Sequence, residues 1–156
     1  MKTPAKTPEM PKLGDFLCFA VYSANLAYGR AYKPLLDELG LTYTQWIAIV
    51  ALWEHDEQTV SSLGEKLFLE SNTLTPILKK LEAMGYVERR RDVRDERQVI
   101  VRLTDAGRAL REKGAQRSLV QATGLDAERF VAARRTMNEV RDNLLQHAQQ
   151  AGDPTA

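Results

Sequence analysis

The chain has 156 residues, 44% hydrophobic and 28% charged, with a net charge of +1, a composition that excludes a disordered chain and suits one soluble domain with a substantial core. No apolar run approaches the roughly 20 residues that span a bilayer, and the opening MKTPAKTPEMPKLGD lacks a signal peptide's apolar stretch. The only cysteine, Cys18, permits no intramolecular disulfide and points to a reducing, cytoplasmic setting, while His55 and His147 lie far apart with no cysteine nearby, so no metal is expected.

Residues 1–12, with their prolines and alternating charges, read as a flexible arm. From about 14 to 38, Leu17, Val21, Ala24, Tyr28, Ala31 and Leu35 recur at spacings of three and four, which predicts one face of a helix. Pro34 is expected to bend or end it, and Gly40 marks the next break. A second helix begins near Thr42, turns Trp46, Ile49, Val50 and Trp53 inward, and ends around residues 54–57. Thr59 reads as an N-cap for a helix with Val60, Leu63 and Leu67 on one side. Ser71 reads as another cap, for a helix whose stripe is Leu74, Ile77, Leu78 and Leu81 and whose stop is Gly85. Two short helices joined by a tight turn make a helix-turn-helix.

After Gly85 the period changes from 3.6 to 2, so residues 86–91 and 98–103 read as two strands around a charged turn, a wing. Thr104 caps a further helical stretch. A last helix runs from about Asp126 to Gln149, with Phe130, Met137, Val140 and Leu144 as its stripe, and 151–156 reads as a disordered tail. The expected fold is mainly α with a small β-hairpin wing (α+β), a single domain over 13–150. Its winged helix-turn-helix covers about 42–103, flanked by N- and C-terminal dimerisation helices at about 14–38 and 105–149. The stripes at the two ends of the chain have no partner in a compact winged unit. They predict a C2 homodimer with its two winged helices one DNA turn apart, roughly 34 Å.

Between Ser71 and Arg102 the basic residues are Lys79, Lys80, Arg89, Arg90, Arg91, Arg94, Arg97 and Arg102, against Glu82, Glu88, Asp92, Asp95 and Glu96. Phosphate binding favours such a local excess of positive charge. A helical charge run is usually only a solvated face; this one coincides with a helix, turn, helix and hairpin in the right order. Ser71, Asn72, Thr73 and Thr75 are placed to reach base edges or phosphates from a helix N-terminus. Lys79, Lys80, Arg89 and Arg94 add positive charge, and Arg97, at the hairpin tip, suits a narrow minor groove.

A lone cysteine is more often an inert piece of core. If Asp15 caps the first helix, however, Cys18 takes the third helical position, where free N–H groups and the helix dipole favour a thiolate. Tyr22 lies one turn above it. Tyr32 lies about 21 Å further along a straight helix and cannot touch the thiol of its own chain.

The segment DVRDERQVIVRLTDAG resembles the wing and following helix of the MarR family of winged-helix transcription regulators, and the resemblance covers nearly the whole chain after the arm. LCFAVYS, YKPLLDELGLTY, LTPILKKLEAMG and DERQVIVRLT resemble, in order, the organic hydroperoxide resistance regulators. In that group a cysteine near the start of the first helix senses peroxide, and its oxidation releases DNA. The resemblance places this cysteine at Cys18, its hydrogen-bonding tyrosines at Tyr32 and Tyr43, and a further pocket tyrosine at Tyr22, with Phe16 and Phe19 adding an apolar lining. It places the recognition-helix positions at Ser71, Thr73, Thr75, Lys79 and Lys80 and the wing arginine at Arg97. It departs from the group at Thr44-Gln45-Trp46, where proline, glutamine, tyrosine is common, and at Glu70-Ser71-Asn72, where aspartate, serine, glycine is usual.

These expectations describe a repressor, not an enzyme, with no cofactor. Its partners are double-stranded operator DNA and a second copy of itself, and its reactants are organic hydroperoxides and a low-molecular-weight thiol; no membrane is involved. With one cysteine, an oxidised sulfur must react with an outside thiol or oxidise further. The alternative is a MarR-type regulator released by a small aromatic ligand, with Cys18 incidental. A thiol peroxidase fits least, because the pattern has no thioredoxin-like alternation of strands and helices.

Overall fold

The computed structural model describes residues 11–115 and 120–151. Most of the expected arm and tail (1–10 and 152–156) and the end of the helical stretch after Thr104 (116–119) lie outside the described residues. The chain divides into two compact units, Met1–Gln116 and Arg117–Ala156.

The first unit opens with a single 3-10 turn, Leu13–Asp15, followed by α1 (Leu17–Leu39), α2 (Tyr43–Glu54), β1 (Gln58–Thr59), α3 (Val60–Leu67), α4 (Ser71–Ala83), β2 (Val87–Arg91), β3 (Val99–Leu103) and α5 (Asp105–Ala115). This is a mainly helical winged helix-turn-helix, as the periodicities require. The three strands are antiparallel in the order β1-β3-β2, with Arg89 opposite Val101 in the hairpin and Gln58 opposite Val101 on the other edge. Strand β1 was not legible, because two residues are too few to show alternation. Its Gln58 side chain donates to the carbonyls of Ala51 and His55, tying the strand to the end of α2.

Three local expectations are corrected. Pro34 does not end α1, which continues to a left-handed Gly40 (φ 66°). Pro34 itself is exposed, while Leu35, Leu36 and Leu39 in the turn around it are buried in the core, which favours continuing the helix past it. Asp15 does not cap α1: its carboxylate accepts from the Lys12 backbone N–H (3.0 Å) and closes the preceding 3-10 turn, and Phe16 occupies the cap. Ser71 is the first residue of α4 rather than its cap, which is Glu70. Thr59 does cap α3, accepting from Ser62 N–H at 3.0 Å, and Thr104 caps α5, accepting from Gly107 N–H at 3.1 Å.

The core joins the last turn of α1 to α2, α3, α4 and the hairpin: Ile49, Leu52, Leu63, Leu74, Leu78, Leu81, Val87 and Val101 are the largest fully buried side chains. Burial of each such side chain contributes about 1.5–3 kcal/mol. Close approaches need glycine at two points. A Cβ on Gly107 would meet the Tyr86 carbonyl oxygen at 2.1 Å, where Gly107 O also accepts from Trp53 Nε1 (3.0 Å). A Cβ on Gly114 would meet the Trp46 ring at 2.1 Å. In the second unit, a short turn (Gln121–Thr123) precedes α6 (Ala127–Ala151), in which Phe130 and Val140 are half-buried and Met137 and Leu144 exposed.

Candidate nucleic-acid interface and thiol site

The exposed start of α4 carries the first group of expected contacts. Ser71, Asn72 and Thr73 are exposed, and the Thr73 and Leu74 amides are the first to find helical acceptors, on Glu70 O at 3.0 and 2.9 Å. Those preceding amides and the polar side chains beside them form a surface suited to phosphate oxygens and base edges. Thr75 is less free: its hydroxyl donates to Ser71 O at 2.7 Å, so only its lone pairs face outward. Lys79 and Lys80 stand exposed two turns on, with no ion-pair partner among the described residues.

The wing carries the second group. At its tip Asp92 accepts from the Arg94 N–H (2.9 Å) and Asp95 from the Arg97 N–H (3.1 Å), turns that shape the loop between the strands. The Arg97 side chain is 91% exposed and pairs with the Asp95 carboxylate, at 3.1 Å. Hydrogen bonds from Arg97, side chain first and backbone second, hold the Asp95 carboxyl below its usual range. Arg94 is exposed beside it. Arg91 donates to Glu96 O (3.0 Å), and Arg90 and Arg102 pair with Glu57 and Glu88. Arg89 does not extend into solvent with the others: it turns inward to Glu82 on α4, with Nη2 at 2.8 Å.

Behind this face, the Asp56 carboxylate accepts from Leu103 N–H (2.9 Å) and from Arg108 Nη2 (2.6 Å), while Arg108 Nη1 donates to Leu103 O (3.0 Å). The root of the wing is thereby fastened to α5.

Cys18 is an exposed free thiol at the second position of α1, one place nearer the helix start than expected. Phe16, Phe19 and Tyr22 around it are exposed as well, with the Phe19 and Tyr22 rings 6.4 Å apart. The structure does not bring Cys18 to Tyr32 within one chain, because α1 runs unbroken from the one to the other, and Tyr43, at the start of α2, lies beside Tyr32. Tyr32 and Tyr43 do meet each other, with ring centroids 5.3 Å apart and planes tilted by 54°. Burial, then the neighbouring phenols of Tyr43 and Tyr28, raise the Tyr32 phenol above its ordinary range.

The sequence reading missed a cleft of about 450 Å³ lined by Tyr32, Trp46, Ile47, Val50, Trp53, Glu54, Arg111 and Gly114. Its floor is the edge-on pair Trp46–Trp53, centroids 5.1 Å apart. Trp46, one of the departures from the peroxide-regulator pattern, is buried here, and Gly114 leaves the room it needs. The inward periodicity of α2 showed Trp46 and Trp53 as core; only their assembly with Tyr32 and Arg111 reveals a hollow.

Residues 30–113 match the transcriptional regulator SarA/Rot family. An organic hydroperoxide resistance transcriptional regulator of Bacillus subtilis (strain 168) is 41% identical over 133 residues, 82% of this chain and 90% of that protein. Among solved structures, reduced AbfR bound to DNA matches with a TM-score of 0.75 at 34% identity, covering 87% of this chain and 94% of that one. Overoxidized AbfR bound to DNA matches with a TM-score of 0.72 at 35% identity, covering 86% and 93%. AbfR is a protein of Staphylococcus epidermidis.

Proposed function

The chain belongs to the SarA/Rot family of transcriptional regulators and, among the MarR-type winged helices, to the single-cysteine organic hydroperoxide resistance type, and from that membership we propose that it is a homodimeric repressor that holds operator DNA while Cys18 is reduced. The observation that carries the reading is the presence in one unit of two exposed features, a polar α4 start with a wing-tip arginine and a free thiol at the start of α1.

The apolar residues that α1 leaves exposed, Leu17, Val21, Leu26 and Tyr28, support a dimer built on that helix. With two such helices crossing antiparallel, Cys18 meets Tyr32 and Tyr43 of the partner subunit, which its own chain cannot supply. Their phenols then donate to the sulfur. An organic hydroperoxide passes its terminal oxygen to the thiolate; the O–O bond breaks, an alcohol leaves and a sulfenic acid remains. A small thiol then attacks the sulfenic sulfur, forming a disulfide and releasing water. Overoxidized AbfR is bound to DNA, which supports assigning release in this chain to the bulky mixed disulfide rather than to added oxygen alone. An adduct of that size cannot remain between packed α1 helices without moving them, and the movement passes through α2, which packs on both α1 and α5, to the wing root held by Arg108, Asp56 and Leu103.

The test uses a duplex that the wild-type protein enriches from a random pool. Binding is measured before and after one equivalent of organic hydroperoxide, with and without free cysteine, and intact mass is recorded on the same samples. Release is expected with a mass gain of one cysteinyl group, and Cys18→Ser should bind but not release. If Cys18→Ser leaves the duplex at the same dose, Cys18 is not the sensor.

The aromatic cleft favours a second reading, release by a small aromatic acid seated on Trp46 and Trp53 with its carboxylate toward Arg111. In that case a non-oxidising aromatic carboxylate releases the duplex from the Cys18→Ser variant.

A further inference from the structure

Arg89 stands on β2 next to residues that face solvent, yet it turns inward. Its backbone N–H donates to Glu82 Oε1 at 3.0 Å, and its Nε and Nη2 both donate to Glu82 Oε2, at 3.0 and 2.8 Å. One carboxylate on the last turn of α4 therefore takes three bonds from one residue in the middle of a wing strand. The Arg89 side chain is only 20% exposed. Strand alternation explains the direction: Val87 and Arg89 share the face toward α4, while Glu88 and Arg90 lie on the other, where they pair with Arg102 and Glu57. Gly85, at φ 78°, makes the tight turn that returns the chain from helix to strand and sets these two residues side by side. Among the described residues no other side-chain hydrogen bond joins α4 to β2.

We propose that the Glu82–Arg89 fork fixes the angle between the recognition helix and the wing, so that Arg89 is a positioning residue for DNA binding and not itself a DNA contact. The inference rests on the DNA-binding reading above. Its leverage is geometric. Arg94 lies five residues beyond Arg89, in the loop that follows β2, at most roughly 16 Å away at about 3.3 Å per residue, so a rotation of about 10° at the fork carries the wing tip by up to roughly 3 Å. That displacement exceeds the tolerance of a hydrogen bond to phosphate. The guanidinium closes on one carboxylate oxygen with two N–H groups while the Arg89 backbone N–H holds the other oxygen, a three-point attachment that resists such rotation and that a lysine ammonium cannot reproduce.

The sign of one substitution separates positioning from contact. Glu82→Gln removes a negative charge close to the DNA-reading face and frees Arg89, so charge alone makes binding tighter. Loss of the fork makes it weaker. With the duplex enriched by the wild-type protein, Glu82→Gln and Arg89→Lys are each expected to lose about tenfold in affinity while the slope of log affinity against log salt stays at the wild-type value, since no phosphate contact is removed. The double variant Glu82→Arg, Arg89→Glu restores the side-chain pair in reverse, though not the backbone N–H bond to residue 82, and should recover part of the affinity, an outcome that a direct phosphate contact at position 89 forbids. Circular dichroism and light scattering confirm fold and dimer for each variant. Equal or tighter binding by Glu82→Gln, a smaller salt slope for Arg89→Lys, or failure of the reversed pair to recover affinity overturns the proposal while leaving the DNA-binding reading intact. If the wild-type protein enriches no duplex at all, that reading falls, and the proposal with it.

Discussion

Replacing Arg97 by alanine isolates what the wing tip contributes to holding DNA. The side chain is 91% exposed and its one ion-pair partner among the described residues is the Asp95 carboxylate at 3.1 Å, so truncation removes no core packing. The change in folding stability should stay within about 0.5 kcal/mol, the range of ordinary surface substitutions. The effect on binding is much larger. Each phosphate neutralised by an arginine releases counterions worth a slope of about 0.9 in log affinity against log salt, which at ~0.15 M salt amounts to about 1 kcal/mol relative to 1 M. A dimer loses two such contacts, hence about 2 kcal/mol, or roughly thirtyfold in affinity, and the slope falls by about 1.8. Fluorescence anisotropy across a salt series, paired with thermal melting, measures all three quantities. If affinity and slope match the wild type while the protein is folded and dimeric, Arg97 does not touch DNA and the placement of the wing in a groove is wrong.

Tyr32→Phe should leave duplex binding unchanged in the reduced protein but slow the oxidation of Cys18 several-fold, read by stopped-flow loss of titratable thiol; an unchanged rate removes the Tyr32 phenol from the sensing step. Gly107→Ala forces a Cβ to within 2.1 Å of the Tyr86 carbonyl oxygen and should cost about 1–3 kcal/mol as overpacking does, seen as a lower denaturation midpoint with an unchanged m-value; wild-type stability would show that Tyr86 and α5 separate at little cost. Hydrogen bonds from Arg89 hold Glu82 below its ordinary value of 4.5, so its contribution to stability is fully present above that value and fades as pH falls through the lower folded one. Glu82→Gln should therefore show a shallower loss of stability than the wild type below about pH 4.5 in an acid titration followed by circular dichroism, and parallel curves would contradict it.

Short-range information in the chain was sufficient for the helix-turn-helix and its wing. The 3.6-residue spacing of Leu74, Leu78 and Leu81 and the switch to period 2 after Gly85 each follow from which face must be buried, and that requirement is written locally. The caps at Thr59 and Thr104 were legible for the same reason, since a hydroxyl and an amide three residues away settle them. Cys18 and Arg97 could be singled out by residue type and position, one as the lone thiol near a helix start and the other at the hairpin tip. Tertiary structure decided what depends on residues distant in the chain. Pro34 stays inside α1 because Leu35, Leu36 and Leu39 are pinned by a core that α2 completes, and burial there outweighs the missing backbone bond. Strand β1 exists only because β3 offers it an edge. Arg89 reads as one more basic residue until Gly85 folds the chain back and sets Glu82 beside it. The hollow over Trp46 and Trp53 depends on Tyr32 from α1 and Gly114 from α5. A side chain's neighbours along the chain determine its secondary structure, whereas its charge partner, and whether it faces solvent or another helix, are set by segments that meet only when the core closes.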